Sequence, residues 1–134
     1  MKSYYEQFDE YKAHFEEWCN FNIENIGVKA MQAINQKQWA VARLFDSKRE
    51  REILLRKRNT IKQSLIDKMK DRKDVALDKS AFSEIDKSPK LEEINEQIHD
   101  LELLIKYLEE MVKMFMYISQ DVKNVIDSIK LETT

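Results

Sequence analysis

From Leu91 to Ile129 apolar residues recur in alternating steps of three and four. The series is Leu91, Ile94, Ile98, Leu101, Ile105, Leu108, Val112, Phe115, Ser119, Val122, Ile126 and Ile129, with Ser119 its only polar member. Steps of this kind keep one face of an α-helix apolar, and about six heptads of them make a coiled-coil seam. Ser88-Pro89 supplies the start: serine as N-cap and proline at the first helical position, where its missing N–H costs nothing. At about 1.5 Å per residue, a helix over 89–131 runs roughly 60 Å. So long a straight seam is expected to pair with another helix of the chain as a hairpin, and with further copies by self-association.

Little else can be built from this chain. Its 134 residues include one glycine, Gly27, and one proline, Pro89. Tight hairpins need Gly, Asn-Gly or Asp-Gly, and neither dipeptide occurs. Phosphate-cradling loops need several glycines so that backbone can approach the ligand. Sandwiches, barrels and dinucleotide-binding folds are thereby excluded. The fold class is all-α: two or three long helices in one helical domain over 1–134, the last of them coiled-coil-like. No apolar run approaches the ~20 residues of a transmembrane helix, and no apolar stretch follows Lys2 to make a signal peptide. Cys19 is the only cysteine, so no disulfide or thiolate cluster is expected, and a reducing, cytoplasmic location fits.

Three further segments precede the seam. In residues 1–26, Tyr4, Phe8, Tyr11, Phe15 and Trp18 step by four, three, four and three, which predicts an aromatic amphipathic helix over 3–26 that Gly27 ends or kinks. Residues 28–73 read as a second helical region. Its first half has a broad apolar face of Val28, Met31, Ile34, Val41, Leu44 and Phe45. Asp46-Ser47 marks a local break, because Ser47 and Glu50 stand at capping-box spacing. The second half keeps Leu54, Ile61 and Leu65 on one face and cations on the back. Residues 74–88 break the period and are expected to form a connector anchored by Phe82 and Ile85. Self-association is expected to use Tyr4, Phe8, Tyr11, Phe15 and Trp18 together with Leu108, Phe115, Val122 and Ile126.

Nothing in these segments amounts to an active site. Glu96 and His99 form one Glu-x-x-His half-motif of the kind found in di-iron bundles, but a second is missing. With Leu91 at heptad position a, Glu96 falls at f and His99 at b, away from the seam. Cys19 has no base beside it in the sequence pattern. No catalysis, metal or cofactor is expected.

Charge is the better lead. The net charge is −2, yet residues 1–35 carry −3, residues 36–79 carry +7 and residues 80–134 carry −6. Residues 48–73 alone hold eleven Lys and Arg against four acids. Guanidinium donors match phosphate oxygens bidentately, and a line of cations on a helix tracks a polyanion by releasing its counterions. No aromatic residue lies between Phe45 and Phe82, so contact there is directed at the backbone of a nucleic acid and is sequence-tolerant. The alternative is a structural or adaptor coiled coil. In it the basic block is salt-bridged to acidic helices of the same assembly, through Glu92, Glu93, Glu96, Asp100 and Glu102.

Residues 77–131 resemble the UvsY recombination mediators of tailed phages. The matching features are Lys79-Ser80, Ile85-Asp86, Leu91, Ile94, Ile98 and Ile105-Lys106-Tyr107-Leu108. The closest piece is Val122-Lys123-Asn124-Val125-Ile126-Asp127-Ser128-Ile129-Lys130, set beside a family signature of the type I-K-N-A-I-[DE]-W-x-K. Ile118 and Ser128 stand where the family has arginine and tryptophan. The resemblance implies a non-enzymatic protein that binds single-stranded DNA. Such a protein helps load a strand-exchange recombinase onto DNA covered by single-strand-binding protein, in the cytoplasm of an infected host. It also implies a ring-like homo-oligomer. By position, the DNA contacts it implies are Lys48, Arg49, Arg51, Arg56, Lys57, Arg58 and Lys62.

Overall fold

A computed structural model of the chain describes residues 3–20, 26–70 and 79–133. Among them every regular element is helical: α1 over Tyr4–Trp18, α2 over Ile26–Lys70, α3 over Lys79–Asp86 and α4 over Pro89–Thr133. The chain is all-α, as the near absence of glycine and proline dictates. No described helix is long and apolar enough to cross a membrane.

The helix ends follow from local chemistry. Ser3 caps α1: its hydroxyl accepts from the Glu6 N–H at 3.2 Å, and the Glu6 carboxylate accepts from the Ser3 N–H at 3.2 Å. This capping box satisfies two backbone donors that the helix itself leaves unpaired. α1 is shorter than the aromatic pattern suggests. It stops at Trp18, where the Cys19 N–H still reaches the Phe15 carbonyl at 2.9 Å. Asn20, Asn22 and Asn25 follow, a residue type that competes with helical hydrogen bonding. Residues 21–25 lie outside the described set. Gly27 does not end α1; it belongs to the first turn of α2, with open space where a Cβ would stand.

The break expected at Asp46-Ser47 is absent, because α2 continues through it and Ser47 is buried mid-helix. The expected connector is in part helical. α3 covers 79–86 with Ile85 buried, while 74–78 and the side chain of Phe82 lie outside the described residues. The Ser88-Pro89 start signal is borne out: α4 begins at Pro89, and the Glu92 N–H closes on the Ser88 carbonyl at 3.0 Å.

The described chain divides into two compact units, 1–47 with 104–134 and 48–103. In the second, Leu54 of α2 and Ile85 of α3 are buried, as are Leu91, Ile94, Ile98 and Leu101 of α4. On α4 these are strictly positions a and d, the narrow stripe of a two-helix seam. Half-buried Gln97 holds the neighbouring g position.

In the first unit the buried arc of α4 widens. Leu104 and Met111, both at g, join Ile105, Leu108 and Phe115. The extra width accommodates the aromatic face of α1. Phe8 meets Tyr107 at 4.8 Å between ring centroids, and Phe15 and Trp18 meet Phe115 edge-on at 5.2 and 4.9 Å. Tyr11 turns the other way, onto Trp39 of α2 at 5.4 Å. His14 stacks on the same indole at 4.3 Å, with its Nε2 2.8 Å from the Gln36 amide oxygen. Edge-to-face pairs of this kind add roughly 0.5–1.5 kcal/mol each beyond the area they bury.

This packing corrects two expectations. Trp18, Leu108 and Phe115, expected between copies, are enclosed inside the unit. Phe8, Tyr11 and Phe15 are half-buried with their rings against residues of the same chain, and Tyr4 is half-buried too. The side chains of Val122 and Ile126 lie outside the described residues. The second correction concerns α2. Among the described side chains, its buried residues in this unit are Ala33, Ala40 and Ser47, one per heptad, whereas Val28, Met31, Ile34 and Phe45 are exposed. Small residues let a neighbouring helix approach closely, and the α1 rings provide bulk that α2 does not.

Candidate nucleic-acid interface

The second half of α2 is built from strong helix formers, Lys, Arg, Glu, Leu and Gln, so it stays helical with little burial to hold it. Leu54 is buried, and Ile61, Leu65 and Met69 are half-buried along the same side. At 100° per residue, Arg49 and Arg56 fall opposite that seam and Lys57 on one edge. Arg51, Arg58 and Lys62 fall on the other edge. Arg49, Arg56, Lys57 and Lys62 are exposed; Lys48, Arg51 and Arg58 are half-buried.

Two of these cations are tied to neighbouring elements of the unit. Arg58 Nη1 donates to Asn95 Oδ1 of α4 at 3.3 Å, and Lys62 Nζ pairs with Asp86 Oδ1 of α3 at 3.5 Å. Between them lies a recess of about 290 Å³ bounded by Arg58, Asn59, Lys62, Asp86, Leu91 and Asn95. Both partners sit outside the set of acids expected to neutralise the block. The sequence signal for Asn95 is its heptad position e, beside the seam; that for Asp86 is its place at the end of α3. One local acid is also engaged: the Gln63 amide donates to Asp67 Oδ1 at 3.0 Å.

Four of the remaining cations are not matched among the described residues. Among the described residues, Arg49, Arg51, Arg56 and Lys57 hold no ion pair. Glu92, Glu93, Glu96, Asp100 and Glu102 are exposed on α4 and hold none either. Exposed pairs such as Lys62–Asp86 contribute about 0–1 kcal/mol, so this pair holds the lysine only weakly.

Other reactive groups are placed elsewhere. Glu96 and His99 are exposed on α4, as their heptad positions require. Among the described residues no group of three or more His, Cys, Asp or Glu is arranged to hold a metal. Burial raises the Cys19 thiol above its ordinary value of 9.0, partly offset by the Lys29 ammonium. Burial, then Glu16 and Cys19, raises the Tyr107 phenol above 10.0. Cys19 should therefore alkylate more slowly at neutral pH than a free thiol and reach the free-thiol rate in denaturant. A thiol that reacts at the free rate in the folded chain would contradict this. The sign for stability is the same at both sites. The folded state holds the proton more tightly than the unfolded chain, so stability falls as pH rises through and beyond these values.

Comparison of the chain with models of protein families, with curated proteins and with solved structures gives no match.

Proposed function

We propose that this chain is a non-enzymatic single-stranded-DNA-binding protein acting as a recombination mediator, with the basic half of α2 as its phosphate contact. One observation carries the reading: Arg49, Arg51, Arg56 and Lys57 leave one helix without an ion pair among the described residues, although acidic side chains are plentiful on α4. Unmatched guanidinium and ammonium groups on a rigid helix are preorganised for a polyanion. The loading of a strand-exchange recombinase onto DNA covered by single-strand-binding protein rests on the resemblance of residues 77–131 to the UvsY mediators.

Anisotropy titration of labelled oligo-dT at several salt concentrations tests the DNA contact. Four phosphate contacts per subunit give a slope of log K against log salt of about −3 for a single strand. Replacing Arg56, Lys57 and Arg58 together by Ala removes two of those four contacts, cuts the slope by about half and weakens binding to every sequence alike. The helical content stays unchanged, because none of the three side chains is in the core. Salt-insensitive binding, or a triple variant with unaltered affinity, would place the DNA contact elsewhere. No binding at low salt would leave the adaptor reading in its place.

A further inference from the structure

One face of α2 in the first unit is apolar and uncovered. Met31 is 81% exposed, Ile34 59%, Phe45 65% and Val28, at the edge, 55%. At 100° per residue, Met31, Ile34, Gln38, Val41 and Phe45 fall within about 80° of arc, flanked by Asn35 and Ala42. None of these seven residues is charged. The nearby cations Lys29 and Arg43 are turned instead onto the Trp18 and Trp39 rings, at 5.2 and 5.5 Å. An uncharged stripe stands out in a chain that is 36% charged.

The order of residues along the stripe is self-complementary about Gln38. Seven positions away on either side stand Met31 and Phe45, four away Ile34 and Ala42, three away Asn35 and Val41. We propose that a second copy of this chain docks here, antiparallel, across a two-fold axis at Gln38. Met31 then packs on the partner's Phe45, and Ile34 fills the space left by the partner's Ala42. Gln38 meets the partner's Gln38, and a primary amide both donates and accepts, so the pair is satisfied by its own symmetry. A parallel pair would instead bring the two Phe45 rings together and leave Ala42 facing Ala42.

The area agrees. At roughly 200 Å² for a large apolar side chain, the four exposures amount to about 500 Å² per copy. That is near the top of the ~300–600 Å² expected for the largest apolar patch on a monomer. A pair hides about 1,000 Å² from these residues alone. With Asn35, Gln38, Val41 and Ala42 added, it enters the ~1,200–2,000 Å² range of stable interfaces. Trp18 of α1 and Leu104, Ile105, Leu108, Met111 and Phe115 of α4 are already enclosed within the unit, whereas Met31, Ile34 and Phe45 of this stripe are open to solvent.

The test is the mass of the full chain without nucleic acid and at high salt, where ion pairs are screened and apolar burial persists. This keeps the outcome separate from that of the DNA-binding reading. Sedimentation at tens of micromolar should give twice 16.1 kDa, or an even multiple. Met31→Glu and Phe45→Glu should each weaken association about a hundredfold, because a two-fold interface meets every substitution twice. Circular dichroism should show both variants folded. In a Cys19→Ser background, Gln38→Cys should yield a disulfide-linked dimer on mild oxidation. Met31→Cys alone should not, since its two sulfurs lie about 21 Å apart along antiparallel helices. A monomeric wild type, an unchanged mass for either Glu variant, or efficient cross-linking of Met31→Cys alone would overturn the proposal.

Discussion

Phe115→Ala should lower the stability of the folded chain by about 3–5 kcal/mol. Phe115 is fully buried, and the Phe15 and Trp18 rings meet it edge-on at 5.2 and 4.9 Å. Truncation removes the transfer free energy of the ring and both aromatic contacts, and it opens a space that the rigid α4 backbone closes only in part. The unit it supports joins 1–47 to 104–134, so its contacts close a long loop of chain, and little local structure compensates for their loss. Urea unfolding followed by tryptophan emission, from Trp18 and Trp39, and by circular dichroism measures the effect. A loss below about 1 kcal/mol, within the range of exposed sites, would mean that the ring is not enclosed.

How much of this arrangement was legible in the sequence differs from helix to helix. The heptad of α4 reads directly, because burial repeats with the helix period. Its change of width was also legible. Position g is Gln97 in the second unit but Leu104 and Met111 in the first, and an apolar g position calls for a third helix. The aromatic spacing of α1 correctly marks one face. Spacing alone does not say whether that face meets its own chain or another copy, and the rings of Tyr107, Phe115 and Trp39 decide it. α2 is where periodicity misleads. Its large apolar residues outnumber its small ones, so a rule based on hydrophobicity turns Met31, Ile34 and Phe45 inward. Helix separation favours Ala33 and Ala40 instead, since the α1 rings supply the bulk.

The cationic site was legible as a charge block and not as a geometry. Counting charges along the chain locates Lys48 to Lys62. Which of them stay unmatched depends on contacts distant in sequence, Arg58 with Asn95 and Lys62 with Asp86. Summed charge suggested that the acids of α4 neutralise the block. Within one chain, Glu92, Glu93, Glu96 and Asp100 occupy b, c and f positions on the side of α4 away from its seam, where they face outward toward any neighbouring copy.

Ala40→Glu should be among the most damaging single substitutions in the chain, and Met31→Glu nearly neutral for the fold of one subunit. Ala40 is fully buried, so a carboxylate there is taken out of water and its longer side chain must displace packed neighbours. An unpaired buried charge costs about 3–5 kcal/mol, and overpacking adds about 1–3 kcal/mol at every pH. The charge part has a definite pH dependence. Burial raises the folded-state pKa of the introduced carboxyl above its unfolded value of about 4.3. The charge penalty is therefore absent below that unfolded value. It grows as pH rises above the unfolded value and is complete only above the raised pKa. Urea midpoints of Ala40→Glu and wild type should draw together on acidification from neutral pH, leaving the steric deficit. Met31→Glu should track wild type in a dilute, monomeric sample at both pH values, because its side chain already faces water. Equal tolerance of the two substitutions would mean that α2 packs through its large apolar residues after all. The opposite responses follow only if the small side of this helix faces in and its apolar side faces out.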